Sequence, residues 1–438
     1  MQRVVCLLTV FVAYQYAIAQ PPGHTDNETV VYMTRAGDTL YDVAERYLQG
    51  ADDWRLLAQL NGVPVPKRLQ RGFALKLPIT RLREEQLSAH VLAMQGPAQR
   101  ALGGAYVPLA VEATLTEGDC LRTGSTGFVS LEFSDGTHMS LPPDSELELA
   151  TLRRRVLIGK SDRNFVLKRG SVDSEVTHLK KRDDGFQIRS PSVVAGVRGT
   201  HFRVSYDAIG TAATRIEVLD GEVGVMGSNR HEATLVHAYY GSIATSDGRI
   251  GAPVQLLPPP ALVKPERVQD DPEVAFELMP LANARAYHVQ LAHDAGLLDL
   301  FSETRTDTTR ATFRGVPNGT FFVRIAAIDE NGLEGMPRTY AFERRQIDID
   351  ATVTLDVEGY VFRWSPKGVG ANVHYRFVLS KSKDLSAPVV DQVGLTTQQV
   401  TIAHLPPGEY FWAVTVEEYA EGHFYEKTGP VSTLTLSY

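Results

Sequence analysis

Short runs of alternating apolar and polar residues, broken by Asp-Gly or Pro-Gly, constrain this chain more than any other feature. "FVSLEFSDGTHMSL" (Phe128 to Leu141) alternates on both sides of Asp135-Gly136. Val129, Leu131 and Phe133 then share one face of a strand, with Met139 and Leu141 as their partners opposite. A period of two is a strand period, and Asp-Gly between two such runs is a hairpin signal. "RIEVLDGEVGV" repeats the device around Asp220-Gly221, which places Ile216, Val218, Val223 and Val225 inward. "SELELATL", "NFVLKRGSV" and "FQIRSP" read as further strands, so residues 96–257 are expected to form an all-β domain.

Pro258-Pro259-Pro260 makes a stiff break after that domain. Beyond it, two segments of similar size look like copies, split near Gln346 to Ala351. "VPNGTFFVRIAAIDENGLEG" (Val316 to Gly335) is echoed by "LPPGEYFWAVTVEEYAEGHF" (Leu405 to Phe424), and "ARAYHVQLA" by "NVHYRFVLS". Each copy also has an earlier strand, "VAFELMP" and "YVFRWSP". Several short alternating strands in under about 100 residues, without cysteines, fit an antiparallel β-sandwich. Both copies, 263–345 and 350–438, resemble fibronectin type III domains. Trp364 keeps the tryptophan usual in that family, and Phe276 stands in its place in the first copy.

The front of the chain has a different texture. In "RAGDTLYDVAERY" (Arg35 to Tyr47), Gly37-Asp38 make a turn. Thr39 is placed to cap a helix, with Asp42 as the partner three residues on. Leu40, Val43, Ala44, Tyr47 and Leu48 recur at helical spacing. Asp52-Asp53 open a second helix with Trp54, Leu57, Ala58 and Leu60 on its buried side, and Asn61-Gly62 stop it. Strands at Val30–Met33 and Phe73–Leu77 flank the pair. This strand-helix-helix-strand order over 30–78, with "GDTLYDVAERY", "WRLLAQLN" and "LQRGFALKLP", resembles a LysM domain. The resemblance implies binding of the N-acetylglucosamine-containing glycan of peptidoglycan or chitin. Its groove would lie between Gly37, Asp38, Thr39 and Leu40 on one loop and Asn61, Gly62, Val63 and Pro64 on the other. Val63-Pro64-Val65-Pro66 is an unusually apolar and stiff second wall. Turn and cap chemistry alone also accounts for Gly37, Asp38 and Thr39.

In the middle domain, "SPSVVAGVRGTHFRV" (Ser190 to Val204) brackets Val197-Arg198 with Gly196 and Gly199, and Phe202 and Val204 alternate into a core. Together with "LRTGSTGFVSLEFSDGTHMSL" it resembles the FecR domain from about Gly96 to Val225. Well-known FecR proteins are periplasmic and relay a transport signal to a membrane sigma-factor control system, using a transmembrane helix and a cytoplasmic segment. This chain shows neither, so the resemblance implies an envelope β-domain without that relay. Arg198 reads as a surface charge beside two glycines, and Arg153-Arg154-Arg155 and Lys180-Lys181-Arg182 as solvated loop charges.

Met1 to Ala19 carry one positive charge, Arg3, then an apolar stretch, and end in Ala17-Ile18-Ala19, the pattern of a secretory signal peptide. Cys6 lies inside that stretch, away from the cleavage point, which argues against lipid attachment. Pro21 to Asn27 form a polar leader, and Arg81 to Gln95 reads as a charged connector containing a short helix. No later run is long enough to span a bilayer. The formal charge of −8 becomes −9 when Arg3 is removed, and that balance gives no support to a nucleic-acid partner. Of the two cysteines only Cys120 then remains, so packed cores rather than disulfides must stabilise the chain.

Catalytic and metal motifs are lacking. His231-Glu232 and His237 miss the spacing that puts two histidines of a zinc protease on one helical face. "GSTGF" lacks the spacing of a nucleophile elbow, Cys120 has no identifiable histidine partner, and Asp183-Asp184 sit in loop-like sequence. The sequence reading is therefore a multidomain, mainly-β exported envelope protein without enzymatic activity, cofactor or metal. It would bind peptidoglycan at its front and present β-domains to an envelope protein partner. The alternatives are a periplasmic sensory or regulatory protein of FecR type, and an accessory to a peptidoglycan hydrolase.

Overall fold

The computed structural model describes residues 28–64, 69–102, 104–177, 184–197, 199–208, 210–228, 233–265, 268–370, 372–420 and 422–437. The signal peptide and leader lie outside these residues, as do Val65-Pro66, Lys180-Lys181-Arg182, Asp183, Arg198 and His231-Glu232. The chain forms two compact units. One comprises residues to Pro260 with 280–307 and 324–338; the other comprises 261–279, 308–323 and 339–438.

The first unit begins with the strand Thr29–Met33, paired antiparallel with Ala74–Pro78. Between them lie the helices α1, Leu40–Tyr47, and α2, Trp54–Asn61. Thr39 caps α1: its hydroxyl oxygen accepts from the Asp42 N–H at 3.0 Å, and its O–H donates to the Asp42 carboxylate at 2.7 Å. Such a cap contributes about 1 kcal/mol. Leu40, Val43, Ala44, Leu48 and Leu57 are buried with Leu75 and Leu77. The sequence expectation is corrected at Leu60, which is 40% exposed. At 100° per residue, α2 turns Trp54, Leu57, Ala58 and Asn61 to one side and leaves Leu60 outside that stripe. Asn61 takes the inward place through polar bonds, donating to the Lys76 carbonyl at 2.9 Å and accepting from the Lys76 N–H at 2.7 Å.

The middle region is built from two sheets that share one long strand, Ser161–Glu175. Its first part pairs with Glu146–Arg155 and, in parallel, with Gly185–Arg189. Its second part pairs with His201–Tyr206 and His138–Leu141. The changeover falls at Gly170. Its φ is +79°, and a Cβ there would sit 2.5 Å from the Ser145 Cα, so only glycine fits the corner. Between the sheets, Phe133, Phe165, Phe186 and Phe202 form a continuous aromatic row with centroids 5.6, 5.1 and 6.3 Å apart. Two of these rings come from each sheet, and the row is the centre of the core.

Three expectations are corrected here. Residues 81–95 contain strands, Glu84–Gln86 and Ser88–Gln95, and the latter pairs with Phe128–Phe133 inside the sheet. The alternation of "SAHVLAM" buries Ala89 and Val91, and that period-two pattern outweighs the charges that suggested a connector. Asp220-Gly221 is not a simple hairpin: Thr214–Asp220 pairs with His201–Tyr206 and Tyr240–Ala244, whereas Glu222–Gly227 pairs with Val193–Val197 and Ala233–His237. The chain passes between sheets at that turn, and Gly221, with φ +80°, lies against Thr200 where a Cβ would have 2.9 Å to the hydroxyl. Arg153-Arg154-Arg155 belong to a strand rather than a loop, and they pair with Glu117, Glu85 and Glu84. Phe128–Phe133 buries both faces except at Glu132, because Phe128 packs on Ala292, Leu297 and Leu300.

The rest of the first unit is the pair Ala286–Ala292 and Leu300–Thr306 and the loop that follows Ile328. In the second unit, Val274–Glu277 pairs with Arg310–Phe313, and Phe276 packs edge-on against Phe313 and Phe342. Asp348–Asp356, Gly359–Lys367 and Gln399–Ile402 make one sheet of the second copy. Val373–Ser380, Pro388–Leu395, Gly408–Ala420, His423–Thr428 and Ser432–Leu436 make the other. Trp364, stacked on Phe377 at 6.2 Å, and the buried Phe362, Tyr410 and Trp412 fill the space between them.

Gly170→Val is expected to destabilise the first unit by more than the ~1–3 kcal/mol that a strained φ alone costs, because backbone atoms of Ser145 cannot move aside. A urea midpoint equal to that of the parent protein would contradict the corner assignment.

A buried ionic layer as the candidate functional site

Tyr287 to Ala292 are all buried, and the strand period sets His288, Gln290 and Ala292 on one face. The register with Leu300–Thr306 places Arg305 opposite His288 and Glu303 opposite Gln290. The loop "DENGLEG" is folded by Asp329, whose carboxylate accepts from the Asn331 and Leu333 N–H groups at 2.9 and 2.8 Å. Leu333 is thereby driven into a cluster with Leu219 and Leu256, and Glu334 is delivered next to it. On the middle domain, Arg203 lies between Asp173 and Glu217 on neighbouring strands.

These residues meet in one layer. Arg203 forms an ion pair with Glu334 and donates to the carbonyls of Glu334 and Gly335 at 3.1 and 2.8 Å. The other Glu334 oxygen is 3.0 Å from His288 Nδ1, and His288 Nε2 is 3.1 Å from Glu303. Gln290 donates to Glu303 at 2.9 Å and accepts from Arg324 at 3.0 Å. Arg324 approaches Asp173 at 3.5 Å, and Asp173 is 2.8 Å from His201 Nε2. Glu217 accepts from the Glu334 N–H at 3.2 Å. Glu217, His288 and Gln290 are only 3, 5 and 5% exposed, so the centre of the layer is shielded from water and the charges there depend on their partners.

The electrostatics follow from that geometry. Burial, with the charge of Glu334 added, pushes the Glu217 carboxyl up to about 7, despite Arg203. Burial acts against charge on Glu334 as well, but Arg203 and His288 outweigh it and hold that carboxyl well below its usual range. Burial disfavours the His288 imidazolium, yet the Glu334 charge and the bonds to Glu303 and Glu334 raise its pKa overall. His201 is raised and Asp173 lowered in the same way, each by the other against burial. The layer borders a cavity of about 480 Å³, whose lining also includes Phe128, Leu297 and Leu300. That volume lies in the range of small-molecule sites.

The residues expected to bind glycan are arranged as follows. Gly37, Gly62 and Pro64 are exposed, and Thr39, Asn61 and Val63 half-buried. Leu40 is wholly buried, and Asp38 accepts from the Tyr32 hydroxyl at 2.9 Å and the Arg35 N–H at 2.6 Å. Asp38 and Leu40 therefore serve the fold through their side chains, and Asn61 is committed to α2 and Lys76. Cys120 is buried, 3.7 Å from Lys168 Nζ, and His237 is exposed. Among the described residues, no group of three His, Cys, Asp or Glu is placed to hold a metal ion, and no helix is long and apolar enough to cross a membrane.

The sequence reading did not single out the ionic layer. One signal was present: Arg203, Glu217, His288 and Gln290 each sit between buried apolar neighbours in strong strands, at positions that period two assigns to solvent.

Residues 119–224 match the family described as FecR protein, about a quarter of the chain. The chain thus carries a FecR domain, and Arg203 and Glu217 lie inside it. No curated protein matches the chain. Among solved structures, a putative anti-sigma factor from Parabacteroides distasonis is 15% identical, with a TM-score of 0.26 over 31% of this chain and 59% of that one. The chain therefore spans less than two thirds of that relative. The fibronectin(III)-like modules of Clostridium thermocellum CbhA are 9% identical, with a TM-score of 0.21 over 40% of this chain and 93% of that one. The FN1–FN3 domains of chicken CNTN1 are 12% identical, with a TM-score of 0.20 over 62% and 95%. The chain is mainly β, with fibronectin-like structures among those it is similar to.

Glu334→Ala would leave Arg203 and His288 buried without their shared partner. It is expected to cost ~3–5 kcal/mol, read from urea unfolding of the intact protein. Removing the exposed partner of Arg376 with Asp391→Ala should cost no more than ~1 kcal/mol. Equal effects of the two would contradict the distinction.

Proposed function

We propose that the protein is a non-catalytic regulatory protein of the cell envelope, exported by its N-terminal signal, whose FecR domain passes on the state of the β-segment docked against it. One observation carries this reading. The strands that bear Arg203 and Glu217 belong to the FecR domain, yet their buried charges are completed by Glu334, which lies beyond it in sequence. A domain that served only as a spacer would be satisfied within itself. A membrane signalling protein is the proposed partner, and the cavity beside the layer is where a small polar signal would enter. Crosslinking in native envelopes tests this: recovery of an inner-membrane signalling protein supports it, and recovery of wall material and structural proteins alone supports the scaffold reading instead.

A second reading concerns the front module. Gly37, Thr39, Gly62, Val63 and Pro64 offer exposed or half-exposed backbone and apolar groups around a well-packed core, a surface suited to N-acetylated sugar. On this reading the module holds the regulatory protein at the wall. Residues of the intact mature chain should pellet it with insoluble peptidoglycan, weakly, because one shallow site lacks avidity. Val63→Asp should abolish pelleting while leaving both helices folded. If the folded variant still pellets like its parent, the glycan site is elsewhere or absent.

A further inference from the structure

The ionic layer joins elements that are far apart in sequence, and it contains a carboxyl pushed up to about 7, Glu217, and two histidines raised above 6.5, His288 and His201. Elsewhere among the described ion pairs, exposed arginine–carboxylate contacts such as Arg376–Asp391 have no such group. We infer that this layer is a proton-operated latch: in mildly acidic surroundings it holds Ala286–Ala292 and the 329–335 loop against the FecR strands, and it loosens as the surroundings become alkaline. This rests on the regulatory reading of the same site and names what it would respond to.

The geometry determines the direction. Glu217 faces Arg203 on the adjacent strand, Arg215 on its own strand and Glu334 on the loop. When Glu217 is protonated, the Arg203 guanidinium is left to Glu334. When it ionises, a second buried carboxylate stands beside Glu334 and competes for the same arginine. His288 is flanked by Glu303 and Arg305 from the neighbouring strand, by Glu334 from the loop, and it shares Glu334 with Arg203. Protonated, it donates to both carboxylates; neutral, it can donate to only one, and the other carboxylate keeps its remaining donor, Gln290 or Arg203, but faces a bare ring nitrogen. His201 faces Asp173 and Glu175 from the long strand and Arg324 from Gly319–Ile328. Its loss of a proton removes the positive charge 2.8 Å from Asp173 and leaves Arg324, at 3.5 Å, as the nearest cation.

All three deprotonations therefore act in one sense. Glu217 has a folded pKa raised to about 7, so its contribution is complete below the usual 4.5 and is lost as pH rises through 7. His288 and His201, raised from 6.5, lose theirs as pH climbs above that value. Glu334, Glu303 and Asp173 are lowered, so their contributions are complete above the ordinary carboxylate range and are lost as pH falls below it. The latch is tightest near pH 5, where little of the Glu217 contribution has been lost and the lowered carboxylates are still ionised. Between about pH 4.5 and 7, where Glu217 is protonated closed and ionised open, its proton is released in opening and raises the open population by up to about tenfold per pH unit; above 7 it adds nothing more.

The test uses the full mature chain, with Cys120→Ser as background and spin labels at the exposed positions Leu235 and Ala295, both in the first unit. Pulsed electron resonance should give a single distance at pH 5 and a second, longer population that grows as the pH is raised from 5 to 8. Glu217→Gln keeps the shape of the protonated acid and should delay that growth by at least one pH unit. A distance distribution unchanged from pH 5 to 8 overturns the latch, as does growth identical in parent and Glu217→Gln. Circular dichroism at each pH excludes global unfolding; a longer distance that appears only with loss of strand signal also overturns it. These outcomes leave the regulatory reading standing, because partner recovery by crosslinking is measured separately.

Discussion

Glu334 is the residue on which the first unit depends. Its carboxylate is held between a guanidinium and an imidazole, with the backbone of its own loop donating to Glu217. Removing charges from water is costly, and the cost is offset only where every member has partners at hydrogen-bond distance. The partners here come from elements that a reader of the sequence would assign to separate domains. The contact cannot be exchanged for a generic apolar one without losing its specificity of register: Arg203 also binds the carbonyls of Glu334 and Gly335, which fixes the loop as well as the side chain.

The FecR domain presents this arginine because of how its backbone is bent. A single strand serves both sheets and turns the corner at Gly170, and the chain changes sheet again at Gly221. The aromatic row from Phe133 to Phe202 fills the interior that these crossings enclose. With that side of His201–Tyr206 committed to the core through Phe202 and Val204, the opposite side must carry Arg203 outward. Packing inside thus sets the position of charge outside, which is what a relay from one β-segment to another requires.

Much of this was legible in the sequence. The runs read at Phe128 to Phe133, Asn164 to Val172 and Tyr360 to Pro366 lie in strands, and the helical spacing of Leu40, Val43 and Ala44 is a helix capped by Thr39. Residues 81–95 were misread because scattered charges hid the alternation of Ala89 and Val91. Asp220-Gly221 was misread because a tight turn between two alternating runs has the same local signature whether the runs pair with each other or with different sheets. The ionic layer was missed for a deeper reason. Local periodicity says which side of a strand Arg203 or Glu217 is on, but only the presence of another chain segment decides whether that side meets water.

The central claim is that Arg203 and Glu334 are energetically coupled across that layer. A double-mutant cycle with Arg203→Met, Glu334→Gln and the pair, measured by urea unfolding of the intact mature chain at pH 6, tests it directly. The account predicts a coupling energy of ~2 kcal/mol or more, with the double variant more stable than the sum of the single effects implies. A coupling below ~0.5 kcal/mol would mean that the two residues are neighbours without being partners, and the layer would not be what joins these elements.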